Sequence, residues 1–240
     1  MIYKIYPLFV FLLLSFGKDS KNTTEIKKET VKHYAKVEKL TVEAKIESVY
    51  NTLNTNNFKL PELKTFSEAL KGFYLLKERG IIQKNILTLI DFSLSSNSKR
   101  LWVIDLTTNT ILFNSLVAHG RNTGEEFASA FSNSNSSFKS SLGFYATGEI
   151  YRGKHGASLR LDGLENGVND NARERGVVMH GADYVSESFI RNNKRLGRSQ
   201  GCPAIPMELT DEIIEVIKDK SCLYIYHPSR SFAMEERLIS

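Results

Sequence analysis

From residue 86 onward, apolar positions come in short runs rich in β-branched and aromatic residues. Runs at 86–90, 101–105 and 110–117 are separated by clusters of Ser and Asn. That spacing predicts strands joined by turns. Further strands are expected at 143–147, 176–179 and 223–226, and the Ser- and Asn-rich stretch 129–141 is expected to be a loop. Two late segments, 185–192 and 210–218, switch to helical spacing. In the second, Thr210 is expected to cap a stripe of Ile213, Ile214 and Ile217. Upstream, Leu63, Phe66, Leu70 and Phe73 form one helical face between Pro61 and Gly80, residues that suit the start and stop of a helix. This segment, 58–85, should pack on the domain that comes after it. Residues 18–57 are rich in Lys, Glu, Asn and Thr. Val31, Tyr34, Val37, Leu40 and Ala44 are spaced like a helix, but so little apolar mass predicts a solvated spacer. No internal repeat is present. The pattern therefore predicts a mainly β domain over 86–228 with peripheral helices, and a tail at 229–240.

The first residues obey another rule. Lys4 precedes an uncharged apolar run at 5–16, Ser15 and Gly17 are small, and charge returns at Lys18. About a dozen apolar residues cannot span a hydrocarbon layer of roughly 30 Å. A cleaved secretory signal at 1–17 is therefore expected, with export to the periplasm or cell envelope. Membrane attachment is expected only if that segment is not cleaved. No cysteine follows the run, which excludes a lipid-modified N-terminus. The chain has 240 residues, 41% of them hydrophobic and 25% charged, with net charge +5. That length supports one good-sized core. The mild positive charge favours anionic partners, but the basic residues are scattered among acids, which gives no case for nucleic acid.

The chemistry concentrates in two segments. Val177, Val178 and Met179 lead into His180 and Gly181, and Arg198, Ser199, Gln200 and Gly201 lead into Cys202 and Pro203. A thiol with a pKa of about 8.5 is mostly protonated at neutral pH and needs a base or a cation beside it to act as a nucleophile. Glycine before the nucleophile lets successive N–H groups turn toward one oxygen, where a single donor is worth about 3 kcal/mol. The competing reading is a disulfide between Cys202 and Cys222, the two cysteines of the chain. Against it, Cys222 opens an apolar run and behaves like a core residue. His119, His155, His180 and Cys202 could in principle supply a tetrahedral metal set, but no short ligand spacing supports one. No metal and no cofactor are expected. His33 and His227 carry no such pattern.

His180-Gly181 together with Ser199-Gln200-Gly201-Cys202 resembles the motif of the murein L,D-transpeptidase catalytic domains. The chain is similar to a Bacteroidetes-type branch through 90–93, 116–124, 140–148, 153–156 and 169–172 as well, so the resemblance covers about 60–228. It implies a β-sandwich-like catalytic domain and a penicillin-insensitive cysteine enzyme of cell wall biogenesis. Such an enzyme would take diaminopimelate-containing tetrapeptide stems, release D-alanine and hold the acyl group as a thioester on Cys202. His180 would be the base, oriented by the Gly181 carbonyl, and the amides of Gly201 and Cys202 would form the oxyanion hole. Ser199, Arg198, Tyr145, His119 and His155 become candidates for substrate contact.

The sequence also departs from relatives in that family. Gln200 stands where many have a second histidine, Ala204 where many have an arginine, and the segment at 140–145 lacks a proline. Three functions stand as alternatives. One is transpeptidation to an amine, and another is the same acyl-enzyme giving its acyl group to water as a carboxypeptidase or endopeptidase. The third is a non-catalytic murein-binding module held by a Cys202–Cys222 disulfide.

Overall fold

A computed structural model describes residues 42–153 and 156–230. The signal at 1–17, the first part of the spacer, His33, His155 and the last ten residues lie outside the described residues. The sheet lies in the compact unit that begins at Lys45. Helices α1 (Val42–Asn51) and α2 (Leu63–Glu78) precede strands β1 (Ile86–Asp91), β2 (Leu101–Asp105), β3 (Thr110–Ser115), β4 (Gly143–Gly153), β5 (Gly156–Gly163) and β6 (Val178–Gly181). Then come α3 (Glu187–Asn193), β7 (Ala204–Ile205), a 3-10 turn (Met207–Leu209), α4 (Thr210–Ile217) and β8 (Cys222–Tyr226). The eight strands form one mixed sheet in the order β3-β2-β1-β8-β4-β5-β6-β7.

Alternation along the strands sorts side chains onto two faces, because successive Cβ atoms point to opposite sides. Leu87, Leu89, Trp102, Ile104, Phe144 and Tyr224 share one core with Phe66, Leu70 and Phe73 of α2. Ile90, Val103, Leu223 and Ile225 face the other way, into a core shared with Leu159, Leu161 and Met179 of β5 and β6 and with Ile213, Ile214 and Ile217 of α4. Both halves of the sheet thus close on this second core, the packing expected of a β-sandwich-like domain. β4 pairs with β8 through Gly143–Ala146 and with β5 on its other edge from Tyr145 onward, and the register against β5 shifts between Thr147 and Ile150. Bulges of this kind bend a strand and raise its twist.

Several expected boundaries move. Leu63, expected on the buried face of α2, is 42% exposed, since it is the first residue of the helix and the buried stripe runs from Phe66 to Leu76. The spacer expected to end at residue 57 ends earlier. Ile46 and Leu53 are buried in the first core, and Asn54 bridges Thr110. Thr210 is not an N-cap. It lies in the first turn of α4, and its Oγ1 donates to Pro206 O at 2.9 Å. The strand expected at 176–179 starts at Val178, because Gly176 has a φ of +67. Strand β5 was not expected, although Leu159 and Leu161 alternate there with Ser158, Arg160 and Asp162.

Candidate active site

The edge of the sheet builds the site. β6 pairs in parallel with the two-residue β7, His180 against Ala204 and Gly181 against Ile205. This pairing brings a histidine at the end of one strand beside a cysteine two residues ahead of the other. The 118–121 segment holds the cysteine loop from the far side. Ala118 N–H donates to Ala204 O at 2.8 Å, Ser199 N–H to His119 O at 3.0 Å and Arg121 N–H to Ser199 O at 2.8 Å. Gly201 has a φ of +125, a conformation side chains disfavour, and a Cβ there would lie 2.9 Å from Lys139 O. Gly120 is pressed against the same place, where a Cβ would lie 2.9 Å from Gly201 Cα.

His180 and Cys202 line one pocket of about 530 Å³. His180 Nδ1 lies 2.9 Å from Gly181 O. A carbonyl only accepts, so Nδ1 carries the proton, and the basic nitrogen of the neutral tautomer is then Nε2. Gly181 is also sterically required, since a Cβ would stand 2.3 Å from Thr210 Oγ1 and 2.7 Å from Met207 Sδ. The start of α4 therefore sits directly behind the histidine.

Cys202 is half-buried and a free thiol, as is fully buried Cys222. The alternative of a Cys202–Cys222 disulfide is not realised. Cys222 is paired with Ala146 of β4 and points into the first core, whereas Cys202 faces the pocket. The Cys202 thiol donates to Gly176 O at 3.9 Å. Burial pushes its pKa up, while the Val178 N–H, the Arg175 charge and its own N–H pull the other way. Burial pushes the nearby Tyr184 phenol up to about 12.

The structure sorts the other expected residues. Ser199 lines the pocket, but its hydroxyl serves the loop, donating to Cys202 O at 2.6 Å and accepting the Gly201 N–H at 3.0 Å. The expected oxyanion pair is corrected accordingly: the Gly201 N–H is taken by Ser199, and of the two amides only that of Cys202 faces the sulfur. Arg198 lines the pocket and is tied to Glu125 at 2.6 Å and to Gly124 O at 3.1 Å.

His119 and Tyr145 are not in the pocket, contrary to expectation. His119 is 1% exposed, with Nδ1 2.8 Å from Arg100 Nη2 and Nε2 3.2 Å from Gly124 O. Tyr145 is fully buried in the second core, its hydroxyl on Ser141 O at 3.0 Å. Arg175, Tyr184, Tyr151 and Phe138 line the pocket and were not expected there. No local motif marks them, because each comes from a different segment. Among the described residues, no group of three or more His, Cys, Asp or Glu is placed to hold a metal ion.

A thiol and an oriented imidazole in one cleft define a cysteine-histidine site on a mainly β fold. The model of the L,D-transpeptidase catalytic domain family matches residues 59–226, and the chain belongs to that family. Among solved structures, it is similar to an L,D-transpeptidase from Mycobacterium smegmatis (10% identity, 60% of this chain and 59% of that one, TM-score 0.38). It is also similar to an L,D-transpeptidase from Xylanimonas cellulosilytica (11% identity, 78% and 92%, TM-score 0.35). A third is the helical cell shape determining protein Pgp2 from Campylobacter jejuni (15% identity, 65% and 55%, TM-score 0.38). The chain thus spans 59% of the length of the mycobacterial structure it matches. No curated protein matches it.

Proposed function

We propose that this chain is an exported L,D-transpeptidase acting on peptidoglycan tetrapeptide stems through a thioester on Cys202. The observation that carries the reading is the pairing of Cys202 with His180 in one pocket, the imidazole fixed by Gly181 O so that Nε2 is its proton acceptor. Nε2 takes the thiol proton, and the sulfur attacks the carbonyl of the diaminopimelate L-centre. The tetrahedral oxyanion leans on the Cys202 N–H, the D-alanine amine leaves with the proton from His180, and the thioester remains. A second diaminopimelate amine then gives its proton to His180 and takes the acyl group. The Arg198 side chain, on the pocket wall, is a candidate for the stem's carboxylates. Location in the periplasm or cell envelope rests on the expected signal. Among the described residues, no helix is long and apolar enough to cross a membrane.

The test is mass analysis of muropeptides after incubation with disaccharide-tetrapeptide. Cross-linked dimers with free D-alanine are expected from the wild type. Cys202→Ala should give none, and His180→Ala should be slower by at least about a hundredfold. D-alanine release without dimers would mean that water is the acceptor. Full activity in Cys202→Ala would end the proposal. A carbapenem-like agent should add one acyl mass to the wild type and far less to His180→Ala.

A further inference from the structure

Arg175 lies just before β6 and reaches back into the Ser- and Asn-rich loop. Its Nη1 donates to Ser132 O at 2.9 Å and Ser141 Oγ at 2.8 Å, and its Nη2 to Lys139 O at 2.6 Å and Ser137 Oγ at 3.3 Å. Every one of these partners is neutral. The contrast with Arg198, which meets Glu125 at 2.6 Å, and with Arg173, which meets Asp162 and Glu149, is plain. A partly buried guanidinium stays charged, and holding it with neutral partners alone is costly unless an anion completes the pair. Its Nη2 is 3.5 Å from where a Gly201 Cβ would stand, and it lines the pocket with Cys202. In that pocket the group able to supply such an anion is the Cys202 thiol, once deprotonated.

We propose that Arg175 is a positioning residue of the thiol site, a fixed cation that holds Cys202 in the thiolate form once His180 has taken its proton. This rests on the reading of Cys202 as nucleophile. In the step, the S–H bond breaks, the proton moves to His180 Nε2 and the electron pair stays on sulfur, so no outside reactant is needed. Four bonds fix the guanidinium, so the field at the sulfur needs no reorganisation when the charge forms. The ionisable groups that face the thiol are Arg175 and His180 from the β6 side, Tyr184 and Arg198 from the 182–203 connection, and Tyr151 of β4. Of the two arginines, only Arg198 already has a carboxylate.

The test is the pH dependence of iodoacetamide alkylation of Cys202 in the full chain, followed by peptide mass mapping. Circular dichroism checks the fold. Relative to the wild type, Arg175→Gln, which keeps amide donors but no charge, should raise the alkylation midpoint by about one pH unit. Arg175→Lys, which keeps the charge on a less anchored stem, should fall between the two. If Arg175→Gln does not fold, the Lys variant carries the test. An unchanged midpoint in the folded variants would reduce Arg175 to a structural strut and overturn the proposal. No peptidoglycan is used. A wild type inert on muropeptides that still shows the ordered midpoints would refute the transpeptidase reading and leave this one standing.

Discussion

Whether His119 carries a proton is decided by its two neighbours. Arg100 Nη2 donates to its Nδ1, so its Nε2–H donates to Gly124 O, and the ring is held neutral. Burial first, and then the Arg100 charge, lower its pKa to about 4 from 6.5. The unfolded chain therefore binds one more proton than the folded one between those values, and stability falls as pH drops from about 6.5 toward 4. The loss attributable to this ring is about 3 kcal/mol. His119→Gln retains an acceptor for Arg100 and a donor for Gly124 but cannot titrate. Urea unfolding of both proteins between pH 7.5 and 4 should show the wild type losing that much more than the variant. Parallel curves would mean that the folded ring is protonated after all. The consequence reaches the site, because His119 O receives the Ser199 N–H. This residue was expected to touch substrate; the structure buries it behind the loop that carries Cys202.

Among the elements, α2 separates what periodicity reveals from what packing decides. Its apolar stripe was legible as a helix, but periodicity could not say which end of the stripe reaches the sheet. Phe66 is fully buried against Tyr50 and the first core, whereas Leu63 is exposed. Phe66→Ala should cost about 3–5 kcal/mol, and Leu63→Ala should stay within about 0.5 kcal/mol. Denaturant midpoints of the two variants measure this directly, and similar losses would contradict the packing described for α2. The β6–β7 pair shows the opposite case. Strand β7 has only two residues, too short for any local pattern, yet its parallel pairing with β6 sets His180 opposite Ala204, two residues after Cys202.

At the scale of the whole molecule, the catalytic fold begins earlier than the composition suggests. Residues 45–57 look like spacer because they are polar, but Ile46 and Leu53 complete the first core. Asn109 Nδ2 donates to Val49 O at 3.0 Å. A chain starting at residue 58 should therefore lose at least about 3 kcal/mol against the full chain, since it uncovers two core residues. Its denaturant midpoint and its activity on tetrapeptide should fall together. A truncated chain of unchanged stability would restore the spacer reading.

The linear order of residues already determined most of the architecture. Alternation along 86–90, 101–105 and 223–226 marks strands whose two faces enter different cores, and the His180-Gly181 and Gly201-Cys202 pairs mark the residues proposed to carry the chemistry. These features are local, because side-chain period and glycine placement act within a few residues. The tertiary structure decided the rest. It turned the Gly201 amide onto Ser199, sent His119 behind the site and Tyr145 into the core, and brought Arg175 beside the thiol. The Arg175 guanidinium meets partners as far off as Ser132, 43 residues back in the chain, so its surroundings form only when distant segments pack.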